Sequence, residues 1–121
     1  MDTCTPDTEV QEAARMMVDG EVGSLAVVRD SELVGIVTER DLLRAIAEES
    51  LSGTVGSLMT PVPDTLSPET TVEDAAYWMM AAGYRHIPVV EGVKLVGMVS
   101  IKDLLWVTAE RLRQREEERR Q

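Results

Sequence analysis

The sequence predicts an α+β fold made of two copies of one βαββα unit, in which small sheets pack against helices. The first observation is an internal repeat: residues 3–43 align without a gap on residues 65–105, and 16 of the 41 pairs are identical. The second is a helical spacing of apolar residues in both copies, and the third is a pair of short β-branched runs after each helix. Because aromatic residues make up 3% of the chain, smaller apolar residues must form the core.

The first helix of each copy is predicted from its start signal and its apolar face. Thr8–Gln11 and Thr70–Glu73 match capping boxes, in which side chains satisfy the first backbone N–H groups of a helix. Gly20 and Gly83 mark the predicted helix ends. The residues of the apolar faces are Val10, Ala13, Ala14 and Met17 in the first copy, and Val72, Ala75, Ala76 and Met79 in the second.

Two short strands and a second helix complete each copy. The strands are rich in Val and Leu and are separated by a polar turn, which is the pattern of a hairpin. They are predicted at residues 25–28 and 33–37 in the first copy, and at residues 87–90 and 95–99 in the second. The helix that follows is predicted from Thr38 to about Glu49, and from Ser100 onward.

The repeat predicts two units, residues 1–50 and 51–112, followed by a polar tail at residues 113–121. The run from Arg111 onward is polar on all sides, as expected of a solvated or frayed helix end; a coiled-coil arm would need an apolar seam. A lead-in segment at residues 58–61 is expected to reach a short strand near Thr65–Leu66. The first copy has almost no such lead-in, as expected of a chain that is trimmed from a longer protein or begins abruptly.

The composition argues against several functional classes. The formal net charge of −10 disfavours nucleic-acid binding, which depends on a basic surface, and no apolar run approaches a membrane span. One cysteine, Cys4, and one histidine, His86, cannot form a metal cluster within the chain, and a lone thiol fits a reducing cytoplasm. The chain has no catalytic Ser/His/Asp set and no Walker loop, so we expect neither catalysis nor a required cofactor.

The strongest functional signal is the corner between the second strand and the second helix of each copy. A hydroxyl at the helix N-cap lies beside unsatisfied backbone N–H groups, which attract a phosphate. Three residues later an ionised Asp can accept both hydroxyls of a ribose, a basic residue between them can screen charge, and the preceding apolar residues can face a heterocycle. These residues are Ile36, Val37, Thr38, Arg40 and Asp41 in the first corner, and Met98, Val99, Ser100, Lys102 and Asp103 in the second.

Both corners also match a plain capping box, in which the Asp serves only the start of the helix. Two features favour ligand binding over this alternative: Asp is shorter than the Glu or Gln that a capping box prefers, and each corner keeps a Gly three residues before the hydroxyl. The sequence therefore predicts a nucleoside or nucleotide cradle that is used twice, with capping as its alternative.

The repeat and its corners resemble the cystathionine-beta-synthase (CBS) domain family, whose members occur as tandem pairs. The resemblance covers roughly residues 3–112 and rests on the Gly-x-x-Thr/Ser-x-x-Asp corners and on the run Arg85–Val90. It implies a pseudo-twofold unit with two clefts that bind adenosyl ligands, namely AMP, ADP, ATP or S-adenosylmethionine. It also implies that two pairs associate into a disc-like homodimer that regulates another, unidentified protein.

The resemblance further assigns a role to each corner residue. Asp41 and Asp103 would hold ribose hydroxyls, and Thr38 and Ser100 would contact phosphate. The backbone that would line the base lies around Ile36–Val37, Met98–Val99, Leu25–Ala26 and Ile87–Pro88. The alternative to this sensing function is a non-catalytic dimerisation scaffold whose corner residues are only helix caps.

The first copy departs from the family pattern, because Gly23–Ala26 stands where the second copy has Arg85–Pro88. The two sites are therefore expected to differ in affinity or in the number of phosphates bound. Arg85 and His86 would contact phosphate or, as the alternative, form a solvent-facing pair at the strand edge. Six large helical residues are expected in the core or in a dimer interface: Met16, Met17, Met79, Met80, Trp78 and Trp106.

Overall fold

The helices and strands follow the order that the repeat predicts. The structure is a computed structural model and describes residues 2–48, 53–61 and 64–120, so the predicted helical position Glu49 lies outside the described residues. The first repeat contains β1 (Thr3–Cys4), α1 (Val10–Gly20), β2 (Ser24–Arg29), β3 (Glu32–Thr38) and α2 (Glu39–Ala47). After the connecting α3 (Val55–Leu58) and β4 (Thr60–Pro61), the second repeat contains α4 (Val72–Ala82), β5 (His86–Glu91), β6 (Lys94–Ser100) and α5 (Ile101–Arg119).

The two hairpins share the same register. Leu25 pairs with Val37 in the first hairpin, and the equivalent Ile87 pairs with Val99 in the second. Each hairpin also carries a β-bulge at the same place, directly after the third residue of its shared Leu/Ile-x-Val run. The duplication seen in the sequence is therefore a duplication of backbone geometry.

Each hairpin also has a short parallel partner. Cys4 of β1 pairs with Val27, and the equivalent Leu66 forms a single bridge to Val89. The strand expected near Thr65–Leu66 is therefore confirmed as one bridge rather than a ladder.

A pseudo-twofold axis relates the two repeats and passes through one residue pair. Glu32 of β3 lies opposite Lys94 of β6, and the two residues occupy the same position in the aligned repeats. Because antiparallel strands are related by a twofold rotation, the axis passes between these equivalent residues. The pair joins the hairpins into one sheet of order β1-β2-β3-β6-β5, with β4 added to β3. Opposite charges facing each other across neighbouring strands contribute roughly 0.2–1 kcal/mol.

Each repeat has its own core on the helix side of its hairpin. Alternation along a strand sends every second side chain to this side, where a helix covers it. The buried cluster of the first repeat is Cys4, Ala13, Met17, Leu25, Val27, Val37 and Val55, and that of the second is Leu66, Ala75, Met79, Ile87 and Leu104. The core positions predicted for Met17 and Met79 are confirmed, whereas Val55 of α3 has no counterpart in the second cluster.

The connection between the repeats packs onto the first repeat. The backbone N–H groups of Val55 and Gly56 donate hydrogen bonds to the carbonyl oxygens of Thr8 and Pro6, both at 2.8 Å. The side chain of Val55 is 0% exposed and closes the first core. The first repeat is therefore covered by the segment that follows it.

β4 then covers the outer edge of β3 at Gly35. A Cβ atom at Gly35 would lie 2.6 Å from Met59 Sδ and 3.0 Å from the carbonyl oxygen of Thr60. Both distances are shorter than ordinary contacts, so the close approach of β4 requires glycine at this position.

The predicted capping boxes of the first helices are wrong by one residue. α1 begins after Glu9 and α4 begins after Thr71. The Thr8 and Thr70 hydroxyls instead accept hydrogen bonds from backbone N–H groups three residues earlier in the chain. They order the turn before each helix and are therefore not the helix caps.

The first helix of each repeat is followed by a residue in the left-handed conformation, which is a glycine in only one of them. Gly83 ends α4 in the left-handed conformation, with φ 77°, as predicted. Gly20 is still helical, and the left-handed residue after α1 is Glu21, with φ 53°, which is the repeat equivalent of Gly83. Gly20 is therefore the last residue of α1 and marks its end as predicted, although a residue other than glycine takes the left-handed position after it.

The predicted polar tail continues α5. This helix runs without a break to Arg119, and residues 111–120 are exposed, so the end of the chain is a solvated helix end. In the described parts of the chain, no helix combines the length and the apolar character that crossing a bilayer requires.

Candidate functional site

The two strand-to-helix corners have the same backbone geometry. The first N–H group of α2, from Glu39, donates to the carbonyl oxygen of Gly23, and the first N–H group of α5, from Ile101, donates to that of Arg85, both at 2.9 Å. These bonds hold the start of each helix against the start of the first strand of its hairpin. Each corner therefore gathers an N-cap hydroxyl, an Asp and a strand end.

Asp41 closes a complete capping box. Its Oδ2 accepts hydrogen bonds from the Thr38 backbone N–H at 2.9 Å and from the Thr38 hydroxyl at 3.1 Å. Its Oδ1 lies 3.5 Å from the Arg44 guanidinium, and the residue is 5% exposed. The capping alternative is therefore realised in the first corner, where Asp closes the box although it is shorter than the preferred Glu or Gln.

Asp103 has the same position in the second corner but a different environment. The Ser100 hydroxyl accepts a hydrogen bond from the Asp103 N–H at 3.1 Å, so the helix is capped from one side. No described residue donates a hydrogen bond to the Asp103 carboxylate or forms an ion pair with it, and the residue is exposed. Both carboxylate oxygens are thus available to hydroxyl groups from outside the described chain.

The repeats also differ at one position beside these two Asp residues. Arg44 lies three residues after Asp41 on the same helix face, and Trp106 takes its place in the second repeat. An indole offers no positive charge to a carboxylate, and Trp106 is 69% exposed. The corner motif did not include Arg44, and Trp106 was predicted only as a core or interface residue, although both stand three residues after an Asp.

The two corners meet at Gly23 and His86. A Cβ atom at Gly23 would lie 3.6 Å from His86 Cε1 and 3.2 Å from Glu39 Oε1. Gly23 is the repeat equivalent of Arg85, so the first repeat has its smallest residue where the imidazole of the second repeat approaches. The departure from the family pattern at Gly23 therefore has a packing reason.

His86 is half-buried and has charged neighbours from both repeats. Burial lowers the pKa of His86 from its usual 6.5, against the opposing effect of the Glu39 and Asp103 carboxylates. The cations Arg85 and Lys102 lower it further. The imidazole is therefore mainly neutral at pH 7 and is protonated only at lower pH.

The residues predicted to line a base lie on two faces of the hairpins. Four of them direct their side chains into the cores: Leu25, Val37, Ile87 and Val99. The other four pair across strands, and alternation turns them to the opposite face: Ala26 with Ile36, and Pro88 with Met98. On this second face Ala26 and Pro88 are also buried, so only the half-buried Ile36 and Met98 offer side-chain surface to a heterocycle.

The remaining predicted residues divide between surface and core. Arg40, Arg85 and Lys102 are exposed and His86 is half-buried, so the solvent-facing alternative is wrong for His86. Met16 packs against the first core. Trp78, Trp106 and Met80 are 53%, 69% and 76% exposed, so a core position is wrong for these three residues.

Comparison with protein families identifies both repeats. The model of the CBS domain family matches residues 1–48 and 55–110. The mitochondrial CBS domain-containing protein CBSX3 of Arabidopsis thaliana is 42% identical over 110 residues, which cover 84% of this chain. The same match covers 53% of that relative, so the chain spans about half of its length.

Solved structures share the fold. A CBS-domain protein from Burkholderia ambifaria is 32% identical with a TM-score of 0.82, and the match covers 89% of this chain and 82% of that chain. CBSX2 of Arabidopsis thaliana, solved in complex with AMP, is 29% identical with a TM-score of 0.79, and the match covers 91% and 88% of the two chains. The tandem-pair fold predicted from the sequence is confirmed.

Replacing each Asp by Ala should show which carboxylate stabilises the fold and which one is free to bind a ligand. Asp41→Ala removes the capping box and the partner of Arg44, so we expect it to lower the free energy of unfolding by about 1 kcal/mol. Asp103→Ala removes a carboxylate that no described residue uses, and should cost about 0.5 kcal/mol or less. Urea denaturation of both variants and the wild type measures the difference, and equal losses would contradict the two environments.

The environment of His86 predicts a pH dependence of stability. Because its pKa is lower in the folded protein than in the unfolded chain, the unfolded chain binds the proton more readily, and stability falls as the pH drops below about 6.5. In His86→Gln this contribution is absent. Urea denaturation at pH 8 and pH 5.5 should therefore show the wild type losing more stability than the variant; parallel losses would show that His86 does not contribute.

Proposed function

The chain belongs to the CBS domain family, and we propose that it is a regulatory module that senses an adenosyl ligand between its two repeats. We place the ligand at the second corner, with its ribose on Asp103, its phosphate at Ser100 and its base against the half-buried Met98. The solved relative CBSX2 in complex with AMP supports this class of ligand. The proposed role is sensing rather than catalysis.

The free Asp103 carboxylate is the observation that carries this proposal. A vicinal diol needs a hydrogen-bond acceptor with two open oxygens, and an ionised Asp is such an acceptor. Asp41 has the same sequence position, but Thr38 and Arg44 already occupy its oxygens. Binding at Asp41 would have to break a capping box, and we therefore propose one site per chain.

The charges around the second corner favour an anionic group. Lys102 follows the Ser100 hydroxyl by two residues and is exposed, and Arg85 is exposed at the start of β5. The position after the N-cap holds Ile101, whereas the first corner has Glu39 there. A phosphate at the N-terminus of α5 would thus meet two free cations and the backbone N–H groups of a helix start.

We propose that ligand binding changes how the two repeats meet. His86 of the second repeat lies against Gly23 of the first, and Asp103 contributes to the electrostatic surroundings of the imidazole. A ligand at Asp103 would therefore act on the contact between the repeats. It can shift their arrangement only by the difference in its affinity for the two arrangements. The regulated activity would belong to another, unidentified protein or to a segment outside this sequence.

The outer faces of the helices support a homodimer. The helices carry exposed large apolar side chains on their outer sides, which in the second repeat include Leu105 at 63%, Trp106 at 69% and Leu112 at 58% exposure. Exposed large apolar side chains that cluster on one surface are typical of protein interfaces. We propose that a second copy of the chain covers the outer faces of the helices.

A cytoplasmic location is proposed from the single cysteine, which cannot form a disulfide within the chain. Cys4 is buried, and burial raises the pKa of its thiol to about 11, so the thiol is unreactive.

The second candidate function is a scaffold that dimerises without a ligand. The closed capping box of Asp41 favours it, because one of the two corner motifs serves the helix alone. This alternative gives no role to the open carboxylate of Asp103.

The ligand proposal predicts a thermal shift that depends on Asp103. A compound at 100 times its dissociation constant stabilises the folded state by about 2.7 kcal/mol. AMP, ADP, ATP and S-adenosylmethionine should be screened by thermal denaturation, and at least one should raise the melting temperature of the wild type. Asp103→Ala should abolish this shift, while the matched Asp41→Ala variant should keep it.

The sugar contact has its own control, since 2′-deoxy-AMP lacks one of the two hydroxyls and should bind at least tenfold more weakly than AMP. If none of the four compounds moves the melting temperature, the scaffold function is supported instead. A shift that survives in Asp103→Ala would contradict the placement of the site.

The dimer proposal predicts that a charge on the outer face of α5 separates the copies. Sedimentation should give a dimer for the wild type and a monomer for Leu105→Glu, because a carboxylate cannot be buried there without a partner. Val93→Glu, in the exposed turn of the second hairpin, is the matched control and should remain a dimer. A monomeric wild type would contradict the proposal.

A further inference from the structure

One carboxylate of the first repeat reaches the corner of the second repeat. Glu39 is the first helical residue of α2, and its Oε1 lies 3.2 Å from the position of a Cβ atom on Gly23. His86 Cε1 lies 3.6 Å from the same position, so the two side chains are neighbours across the junction of the repeats. Burial lowers the pKa of His86, and of the two carboxylates that oppose this effect Glu39 acts more strongly than Asp103.

The imidazole of His86 lies between Glu39 and the proposed phosphate position. His86 of β5 is paired with Ser100 of β6, and side chains directly opposite each other on antiparallel strands are about 5 Å apart. Ser100 is the N-cap of α5, where the phosphate of the ligand is proposed to bind. A phosphate at Ser100 and the Glu39 carboxylate would therefore both be neighbours of one side chain.

The charge of Glu39 is not neutralised by its surroundings. Glu39 is exposed, and among the described residues none forms an ion pair with its carboxylate or donates a hydrogen bond to it. The adjacent imidazole is mainly neutral at pH 7. Two cations, Arg85 and Lys102, and two carboxylates, Asp103 and Glu39, surround this imidazole, so their charges balance. The corner therefore has no surplus of positive charge for a highly anionic ligand.

A second role is open to Glu39 within its own repeat. A carboxylate in the first turn of a helix stabilises it, because the carboxylate lies at the positive end of the helix dipole. Glu39 occupies that position in α2, whereas the equivalent residue of α5 is the uncharged Ile101. If this were its whole role, Glu39 would contribute to stability and would not affect which ligand binds at Asp103.

We propose that Glu39 limits the number of phosphates that the second corner accepts, so that an adenosyl monophosphate binds in preference to a di- or triphosphate. This inference rests on the proposed ligand site at Asp103. The first phosphate meets the N–H groups at the start of α5 and two cations, which favour it. Each further phosphate adds negative charge near the Glu39 carboxylate. The first repeat thus selects the ligand that the second repeat holds.

A series of ligands that differ in charge tests this selection. Adenosine, AMP, ADP and ATP are titrated into the full chain by calorimetry at pH 8, without divalent cations and at an ionic strength of about 0.01 M, where screening is weak. The wild type should bind AMP more tightly than ADP, and ADP more tightly than ATP.

Glu39→Gln should raise the affinity in proportion to the charge of the ligand. Two unit charges about 10 Å apart in water change a binding constant about twofold. Removing the Glu39 charge should therefore tighten AMP about fourfold and ATP about 16-fold, and leave adenosine unchanged. The gain should shrink at an ionic strength of about 0.15 M, because salt screens an exposed carboxylate.

Glu118→Gln is the matched control. It removes the same charge from the exposed end of α5, about 25 Å along the helix from Ser100. Its affinities should stay within about twofold of those of the wild type, because screening and distance weaken the interaction.

The outcomes separate this proposal from the ligand site on which it rests. Binding of AMP that depends on Asp103, with an unchanged ratio of ATP to AMP affinity in Glu39→Gln, overturns the selection and leaves the site standing. A lower melting temperature with that unchanged ratio would assign Glu39 to its helix alone. An equal gain for adenosine would show an effect through the fold, which also overturns the selection. Absence of binding by all four compounds, in the wild type and in Glu39→Gln, overturns both proposals.

Discussion

The antiparallel pairing of Glu32 with Lys94 is the constraint on which the rest of the structure depends. Because the two residues hold the same place in the repeat, their pairing fixes a twofold axis and assigns every residue of one repeat a counterpart in the other. The axis brings the starts of β2 and β5 together, so Gly23 and His86 meet and the two corners share charged neighbours. Differences between equivalent positions then become direct evidence of different roles.

Each of those differences is a group that is present in the first repeat and has no described equivalent in the second. The first repeat has an Arg that pairs with its corner Asp, a helical turn that closes its core and a strand that covers its sheet edge. In the described residues of the second repeat, Trp106 replaces that Arg, and neither the helical turn nor the strand has a counterpart. The corner of the first repeat is therefore closed by its own chain, whereas the corner of the second repeat leaves a carboxylate open.

Local signals were enough to predict much of this fold. The repeat, the hairpins and the strand-to-helix corners follow from periodicity and from the alignment of the chain on itself. The helix ends were harder, because Glu21 takes a left-handed conformation usually given to glycine, and Thr8 serves a turn instead of the helix. Residue type alone predicts neither the conformation of Glu21 nor the role of Thr8. Both depend on which backbone groups remain free after the turn has formed.

The candidate site shows that the motif alone does not predict the environment of its Asp. Thr38-x-x-Asp41 and Ser100-x-x-Asp103 are equivalent as motifs, yet one is a closed capping box and the other is open. Arg44, which pairs with Asp41, and its equivalent Trp106 lie outside the motif, on the helix face that each shares with its Asp. The contact of His86 with Gly23 joins residues of different repeats, and only the pseudo-twofold arrangement brings it about.

Native mass spectrometry of the protein with AMP tests the central claim most directly, because it counts chains and ligands in the same ion. We predict a dimer that carries two AMP molecules, one for each Asp103, and an Asp103→Ala dimer that carries none. Four AMP molecules per dimer, or two that persist in Asp103→Ala, would contradict the assignment of an open and a closed corner.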